Sequence, residues 1–346
     1  MTRAQWLRIH RLTGLAMAAF LLVQALTGAL PLYRGPVARM IDPAGMTSQA
    51  RGPAISAGEA AAQAARFQPG HHVTRLFAPD TDNATWFAQL GDGEGRTRYA
   101  SIDPAGGGVR RAGGLSAFPV EAALQIHYRL MAGKAGMVVV ALNALALLVM
   151  AVSGLRFWWP KRNIIKALGI RWTLAPQMVL RQAHRTVGVV AAAFLIVLAG
   201  TGMLLIVPEL AGDSPAPTAV ATSAAAIDRS LMLAQTAFPD HSLRDLRIDG
   251  DRLIVNFHAP ERNARAVHRA IVTIAQPHIV SATRAEQSGA LWMTVLPIHA
   301  GDIIAPVGPV LLLAVAIILA ALVVSGPIMW WHAARQRRRP TRKVTA

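Results

Sequence analysis

The sequence predicts an α-helical membrane protein with four transmembrane helices in two parallel repeats, together with two small α+β modules outside the membrane. The first observation is composition: 53% of the 346 residues are hydrophobic and 15% are charged, whereas about a quarter of the residues in a soluble domain are charged. The second is a set of four apolar stretches, each long enough for the roughly 20 helical residues that cross a bilayer. They cover residues 12–32, 137–159, 185–207 and 306–331. The third is an internal duplication.

The duplication starts at two histidines. "HRLTGLAMAAFLLVQALTG" at 10–28 and "HRTVGVVAAAFLIVLAGTG" at 184–202 align without a gap, which pairs His10 with His184. The segments before the second and fourth spans, "LQIHYRLMAGKAG" and "LPIHAGDIIAPVG", align in the same way. Because each copy runs helix, module, helix from the same side of the membrane, the repeats are parallel and related by an axis along the membrane normal.

The two modules between the spans also match. Residues 56–76 and 223–246 each contain an apolar-periodic helix behind a serine N-cap, then Phe and Pro, then a histidine and a basic strand. Short alternating runs follow, such as "ATWFAQLG" and "RLIVNFHA", with Gly and Pro turns between them. Such runs are typical of antiparallel strands. Each module is therefore predicted to be a helix with a few strands.

Positive charge orients the bundle. Lys and Arg are concentrated before the first span, in the connection after the second span, and in "RQRRRPTRK" after the fourth span. Such segments stay in the cytoplasm, so we expect a multi-pass protein of the bacterial inner membrane with both termini cytoplasmic and both modules periplasmic. Topology thereby explains the net charge of +17, and no nucleic-acid partner is expected. The chain has no cysteine, which excludes disulfides, Fe–S clusters and thiolate metal sites.

These features divide the chain into membrane, periplasmic and cytoplasmic segments in a repeated order. The predicted segments are a first transmembrane helix (1–32), a first periplasmic module (33–126), a second helix with its preceding segment (127–160), a cytoplasmic loop (161–183), a third helix (184–207), a second periplasmic module (208–298), a fourth helix with its preceding segment (299–332) and a basic cytoplasmic tail (333–346).

Several of these motifs together resemble one family. They are the "HR" opening with its later "TG", the helix and strand module with "DPAGG", the "IH" before the next span, and the "SG" to "WW" exit. Over nearly the whole chain they resemble the PepSY-associated transmembrane family, so the two modules are PepSY-like. The family includes inner-membrane proteins of iron uptake, and members studied as ferric-siderophore reductases carry b-type hemes. The resemblance implies a heme-dependent ferric-siderophore reductase with two hemes b, a ferric siderophore as substrate, and a cytoplasmic or membrane electron donor.

Four histidines of the repeat are the candidate heme-iron ligands. Imidazole is a good axial ligand for heme iron, and an ionisable residue at a membrane is costly unless it has a function. His10 and His184 are repeat mates at the expected cytoplasmic edge, and His127 and His299 are mates at the expected periplasmic edge. A two-fold axis between the helices can bring each pair to opposite faces of one porphyrin.

Glycines and arginines near these histidines complete the predicted cofactor sites. Gly14 and Gly188 follow His10 and His184 by four residues, on the same helix face, where a missing side chain leaves room for a flat ring. Arginines next to the histidines can meet heme propionates through charge-assisted hydrogen bonds. These arginines are Arg11, Arg185 and Arg129.

Other polar and aromatic residues have simpler interpretations. His332 follows the last tryptophan pair and is kept as a spare ligand for the inner heme, although its repeat mate is Pro160. The tryptophan pairs are interpreted as an interfacial aromatic belt. Small pairs at 27–28, 153–154, 201–202 and 325–326 are interpreted as sites of close helix packing. The remaining histidines are expected on the surface of the modules, with metal binding at 71–72 as an alternative: His71, His72, His241, His258, His268 and His278.

A second class of function stays open. The protein would then be a cofactor-free membrane scaffold or peptidase modulator, which binds a peptide or protein partner through its modules and uses the histidines structurally. The sequence contains no catalytic triad, Walker loop, dinucleotide fingerprint or zinc motif. Flavin or nicotinamide chemistry would therefore have to come from another protein, and a visible absorption spectrum separates the two classes.

Overall fold

The computed structural model describes the whole chain except residues 42, 44–46, 49–51, 81–83, 93, 161–162, 213–220 and 338–346. The basic residues at 161–162 and in the tail from 338 onward, which the sequence assigns to the cytoplasm, lie outside the described residues. The helices are α1 (Arg3–Ala29), α2 (Arg34–Ile41), α3 (Ala57–Arg66), α4 (Pro119–Arg129), α5 (Gly133–Trp158), α6 (Ile164–Leu168), α7 (Pro176–Ala211), α8 (Ala224–Ala237), α9 (Trp292–His299) and α10 (Val307–Arg337). The strands are β1 (His72–Phe77), β2 (Trp86–Gly91), β3 (Thr97–Ile102), β4 (Val109–Gly113), β5 (Leu243–Asp249), β6 (Arg252–His258), β7 (Val267–Thr273) and β8 (Ile279–Thr283).

The chain forms two compact units. The helix bundle comprises Met1–Ala29, Gln125–Ala211 and His299–Ala346, and the sheet unit comprises Leu30–Leu124 and Gly212–Ile298. Each unit is therefore built from both halves of the sequence.

Four long apolar helices, α1, α5, α7 and α10, make up the helix bundle, and each is long and apolar enough to cross a membrane. Helix α1 packs against α5 and α10, and α7 packs against the same two helices. Leu21, Leu147, Leu195 and Leu319 are buried where the four helices meet. Large apolar side chains such as Leu26 are exposed on the outside, which is the pattern of a bundle whose solvent is lipid. The chain is a multi-pass membrane protein.

The helices extend beyond the predicted spans. Helix α7 has 36 residues and begins at Pro176, whereas the apolar pattern marks only 185–207. His184 therefore lies inside the helix rather than before it. Hydropathy marks the part of a helix that contacts hydrocarbon, and a polar turn at the interface continues the same backbone hydrogen bonds without an apolar signal.

The sheet unit has one antiparallel sheet with the strand order β4-β3-β2-β1-β5-β6-β7-β8. Helices α3 and α8 cover one face and bury a core that includes Leu76, Leu246 and Val255. Both helices begin at the predicted serine N-caps, because Ser56 and Ser223 accept hydrogen bonds from backbone amides of the first turn. The predicted strands are present in both copies.

The two predicted modules are joined into a single sheet, which the sequence analysis did not anticipate. Strand β1 of the first copy pairs antiparallel with β5 of the second, with Arg75 opposite Arg247 and Leu76 opposite Leu246. A separate module would leave β1 and β5 as edge strands with unpaired backbone groups, and their pairing removes both edges. The strand order is therefore symmetric about the β1–β5 pair, because corresponding strands of the two copies lie at equal distances from it.

Candidate functional site

The first histidine pair joins two helices of the bundle. His10 lies on α1 and His184 on α7, and their ring centroids are 6.4 Å apart. Nδ1–H of His10 donates to the Met150 carbonyl at 2.9 Å, which can only accept. His184 Nδ1 lies 2.7 Å from the Ser325 hydroxyl oxygen. That hydroxyl also lies 3.1 Å from the Leu322 carbonyl, and when it donates its proton to this carbonyl, it accepts a hydrogen bond from His184 Nδ1–H.

The second histidine pair lies at the ends of two short helices that precede transmembrane helices. His127 is in the last turn of α4 and His299 is the last residue of α9, and their ring centroids are 6.3 Å apart. His127 Nδ1–H donates to the Gln24 carbonyl at 3.0 Å. His299 Nδ1 lies 2.9 Å from the Thr201 hydroxyl, which donates its proton at 2.7 Å to a backbone carbonyl. His299 is therefore also the donor.

A single tautomer, with the proton on Nδ1, satisfies the hydrogen bonds of all four rings. With the proton on Nδ1, a neutral imidazole keeps a free lone pair on Nε2, and no hydrogen bond to Nε2 is formed by any of the four within the described part of the chain. Histidines that bind metals donate their other N–H to a carbonyl or similar acceptor in this way. Two imidazoles bound to one metal ion from opposite sides, through bonds of about 2 Å, have ring centres roughly 6 Å apart. The centroid separations of both pairs are compatible with this arrangement.

Small residues let each histidine ring approach a neighbouring helix closely. A methyl group on Gly28 would come within 2.6 Å of the His127 ring, and one on Gly202 within 3.4 Å of the His299 ring. In the same way, Gly154 lies next to the His10 ring, and Gly326 lies next to the His184 ring. The small pairs assigned to helix packing therefore also position the ligand candidates.

A cavity of about 580 Å³ adjoins the first histidine pair, within the usual range for small-molecule pockets. Its polar lining includes buried donors without a partner: among the described residues, neither Arg185 Nε nor Trp158 Nε1 forms a hydrogen bond. Such donors suit the acidic groups of a ligand. The predicted residues that line this cavity are His10, His184, Arg11, Arg185, Gly14 and Gly188.

Two predicted residues are placed elsewhere. His332 does not line the cavity, although its neighbours Trp330 and Ala333 do. Arg129 pairs with Glu209 of α7 and lies over the Tyr128 ring, so its charge is compensated within the protein. The repeat agrees with the placement of His332, which has no histidine mate. It gave no sign of the ion pair of Arg129, because Glu209 lies in the last turns of a helix whose length the apolar pattern underestimates.

The sequence analysis did not predict which residues form hydrogen bonds with the histidine rings. Ser325, Thr201 and Gln24 supply acceptors to three of the four rings, and the Gln24 side chain also donates to the His127 carbonyl. The signal was present in part, since Thr201 and Ser325 belong to the small pairs of the repeat. Hydrogen bonds to backbone carbonyls, such as that of Met150, leave no trace in the sequence.

A second histidine group lies in the sheet unit and corrects one expectation. His268 is fully buried, not on the surface, and its Nε2 lies 2.6 Å from Glu261 and 3.1 Å from His241 Nε2. The backbone amide of Ala285 donates to His268 Nδ1, so the neutral ring carries its proton on Nε2 and donates it to Glu261. This tautomer is the reverse of that in the bundle, and it describes a hydrogen-bonded core cluster rather than a metal ligand set.

The fold and site define a class: a multi-pass helical membrane protein with two facing histidine pairs in the bundle and an antiparallel sheet unit formed by the segments between the helices. The chain belongs to the PepSY-associated transmembrane family, whose model, described as the PepSY-associated TM region, matches residues 7–333. No curated protein matches the chain.

Proposed function

We propose that the protein is a di-heme electron-transfer protein of the bacterial inner membrane that reduces ferric iron in siderophores at the periplasmic face. The observation that carries this proposal is that His10, His184, His127 and His299 each engage Nδ1 in a hydrogen bond and, among the described residues, leave Nε2 without one. Histidines with only a structural role have no reason to leave the same ring nitrogen free at all four positions. Two heme b groups would supply reversible one-electron chemistry at these positions.

The residues around the first pair would hold one porphyrin. His10 and His184 would supply the axial nitrogens, and Gly14 and Gly188 line the adjoining cavity. Arg11 and Arg185 line it too, and they would neutralise carboxylates by charge-assisted hydrogen bonds. His127 and His299 would hold the second porphyrin, where the contacts of Gly28 and Gly202 fix the ring positions.

The proposed topology follows the distribution of basic residues. Both termini and the 161–183 loop would be cytoplasmic, the sheet unit would be periplasmic, and the two repeats would be parallel. A reporter that is active only in the periplasm should be inactive when fused after Ala346 and active when inserted at the Gly95 turn between β2 and β3. The opposite pattern of activities would overturn this topology.

The net reaction transfers one electron from a cytoplasmic or membrane donor to the iron of the chelate. The donor is oxidised, and Fe³⁺ becomes Fe²⁺, which hard oxygen chelators hold far more weakly because it is softer and less highly charged. Because the electron needs no acid, base or nucleophile from the chain, the absence of such a motif in the sequence is compatible with this activity.

Two measurements test the proposal. Purified protein should show the absorption bands of low-spin b-type heme, with two hemes per chain by pyridine hemochrome assay. Dithionite-reduced protein mixed with a panel of ferric siderophores should be reoxidised while a colorimetric chelator captures Fe²⁺. Protein that contains no heme would support the cofactor-free scaffold instead. Heme that stays reduced with every siderophore would point to a different electron acceptor.

A further inference from the structure

The face of the sheet opposite α3 and α8 is strongly basic across β1, β5 and β7. Arg75 and Arg247 lie directly opposite each other where the two copies join. Asp245 of β5 lies opposite Asn256 of β6, which in turn lies opposite Arg269 of β7. Since neighbouring residues on a strand point to opposite faces, this set lies on the face away from the helix-covered core. We name Arg75, Asp245, Arg247, Asn256 and Arg269 the arginine cluster.

One buried carboxylate organises the arginine cluster. Asp245 is fully buried, and it accepts hydrogen bonds from Arg75 Nε and Arg244 Nε at 2.9 Å and from Asn256 Nδ2 at 3.1 Å. Burial alone would raise the pKa of Asp245, but the adjacent Arg75 and Arg244 guanidiniums outweigh it and hold the pKa at about 2. Asp245 is thus an ionised anchor that fixes the arginines in place.

The arginine cluster carries more positive charge than this anchor can balance. The guanidiniums of Arg75 and Arg247, and that of Arg244 beside the cluster, all lie within 4 Å of the single carboxylate. Partial burial and the nearby Arg75 lower the pKa of Arg247 to about 10. Arg75 and Arg269 form their hydrogen bonds through Nε, and among the described residues their terminal nitrogens form none. These terminal nitrogens remain available to a ligand.

The first copy of the repeat shows how this face looks when the chain covers it. The register pairs Phe77 with Phe87, and Gln89 with Tyr99. In the second copy, the corresponding strand pairs β5–β6 and β6–β7 place Arg247 opposite Ile254 and Asn256 opposite Arg269. Phe77 therefore corresponds to Arg247, and Tyr99 corresponds to Arg269.

The corresponding residues have opposite chemistry. In the first copy, Phe77, Phe87 and Tyr99 form an aromatic cluster with Phe118, with ring centroids 5.6 to 6.1 Å apart. In the second copy, Arg247 stands where Phe77 stands in the first, and 44% of its side chain is exposed. A duplicated fold gains nothing in stability from exchanging packed aromatics for mutually repelling cations. The exchange is explained if a ligand supplies the missing negative charge.

We propose that the arginine cluster binds the chelate and selects ferric complexes with a net negative charge, those of catecholate or carboxylate siderophores, over uncharged hydroxamate complexes. This inference rests on the proposed function, whose substrate class it specifies. Guanidinium groups form paired hydrogen bonds with carboxylate and catecholate oxygens. Low exposure around Asp245 strengthens these bonds relative to those in water.

The test uses gallium(III) complexes, which resemble the ferric complexes but are not reduced under the assay conditions. Calorimetry on the full-length protein in neutral detergent should detect binding of a trianionic Ga(III) tricatecholate, and much weaker binding of an uncharged Ga(III) trihydroxamate. The double variant Arg247→Phe/Arg269→Tyr, which installs the residues of the first copy, should weaken tricatecholate binding by roughly tenfold for each charge removed. Arg229→Gln, on an exposed position of α8, should leave it unchanged.

Failure of this inference can be separated from failure of the proposed function. Equal tricatecholate binding by wild-type protein and the double variant would overturn the inference, whether or not the heme is reoxidised. Charge-selective binding that the double variant loses, in protein whose reduced heme no ferric chelate reoxidises, would uphold the binding site and overturn the reductase. If the double variant keeps chelate binding but no longer retains phosphatidylglycerol during purification, the cluster is a lipid headgroup site and the inference is wrong.

Discussion

The two copies of the repeat are nearly identical around the bundle histidines and chemically different on the open face of the sheet. In the bundle, His10 and His184 each engage Nδ1 in a hydrogen bond and each face a glycine of the small pairs. In the sheet, Tyr99 of the first copy lies in an aromatic cluster, while its counterpart Arg269 lies in the arginine cluster.

The difference separates the two kinds of ligand that we propose. A group held between two repeat mates requires the same chemistry from both copies, so divergence of either histidine would break the site. A ligand held by one copy alone makes no such demand. Symmetric residues therefore mark the proposed cofactor positions, and asymmetric residues mark the proposed substrate surface.

The largest expected effect comes from replacing the bundle histidines, which both copies of the repeat share. Replacing His127 or His299 with alanine should remove the second heme and leave the first largely intact, which lowers the content from two hemes per chain to one. The corresponding change at His10 or His184 should remove the first heme. Pyridine hemochrome and visible spectra of the purified variants measure both. The control is His332→Ala, because His332 lies outside the cavity lining, and it should retain both hemes.

The outcome at His332 decides between two assignments. A loss of heme from His332→Ala as large as that from His10→Ala would make His332 the true partner in the first site. Unchanged spectra in all four repeat-histidine variants would remove the basis for bis-histidine coordination altogether.

The next largest effect concerns the stability that Asp245 of the arginine cluster gives to the protein. Asp245→Asn leaves the Arg75 and Arg244 guanidiniums without their buried counter-charge, which should destabilise the protein by about 3 kcal/mol. The control Glu94→Gln removes a pair with Arg96 in which both side chains are at least 70% exposed, and it should cost under about 1 kcal/mol. Thermal unfolding of the full-length variants in detergent compares them.

The same variant predicts a pH dependence. Asp245 has a pKa of about 2 in the folded protein, below the value of about 3.9 in an unfolded chain. Its stabilisation is therefore fully present above about pH 4 and is lost as the pH falls towards 2. Between pH 5 and pH 3, Asp245→Asn should lose less stability than the wild-type protein. Parallel curves for the two proteins would contradict the buried ion pair.

A smaller effect separates two threonines that occupy equivalent positions. The Thr201 hydroxyl accepts the hydrogen bond of His299, whereas the Thr27 hydroxyl donates to the Val23 carbonyl and His127 bonds to Gln24 instead. Thr201→Val should weaken the second heme site by roughly 10- to 100-fold, the usual cost of losing a hydrogen bond to a metal-binding histidine. Thr27→Val should not. Heme titration into apoprotein measures both, and equal losses would rule out this orienting role.

The smallest effect concerns the glycines beside the second pair. Gly28→Ala places a methyl group 2.6 Å from the His127 ring, and Gly202→Ala places one 3.4 Å from the His299 ring. The first must displace the ring and cost about 1 to 3 kcal/mol, and the second needs only a slight shift. The second-site Soret band should therefore change in Gly28→Ala more than in Gly202→Ala. Gly200→Ala, with no atom within 4 Å of the new methyl group, is the control.

The sequence was sufficient to predict the features that the duplication repeats. Hydropathy located the four membrane helices, the serine caps located α3 and α8, and the aligned motifs paired His10 with His184 and His127 with His299. These predictions succeed because each motif occurs in both halves of the chain, so that one copy supports the interpretation of the other. Apolar length and N-caps are also local properties of the chain.

The features that could not be predicted depend on contacts between distant residues. The pairing of β1 with β5 joins strands about 170 residues apart in the sequence, and the composition of neither strand differs from that of its neighbours. His268 looks like a surface histidine of an alternating strand, and only packing against Phe238 and the Ala285 amide reveals its burial. The arginine cluster likewise appears only when the register brings Arg75 opposite Arg247.

The pairing of β1 with β5 also bears on what a half-length ancestor of this chain would have looked like. Leu76 lies opposite Leu246 at the centre of that pairing, so the same contact can form between two identical strands related by a two-fold axis. A single copy would therefore complete its sheet by dimerisation. Fusion of the two genes would then free each half to change independently, which is the condition under which one sheet face could become aromatic and the other cationic.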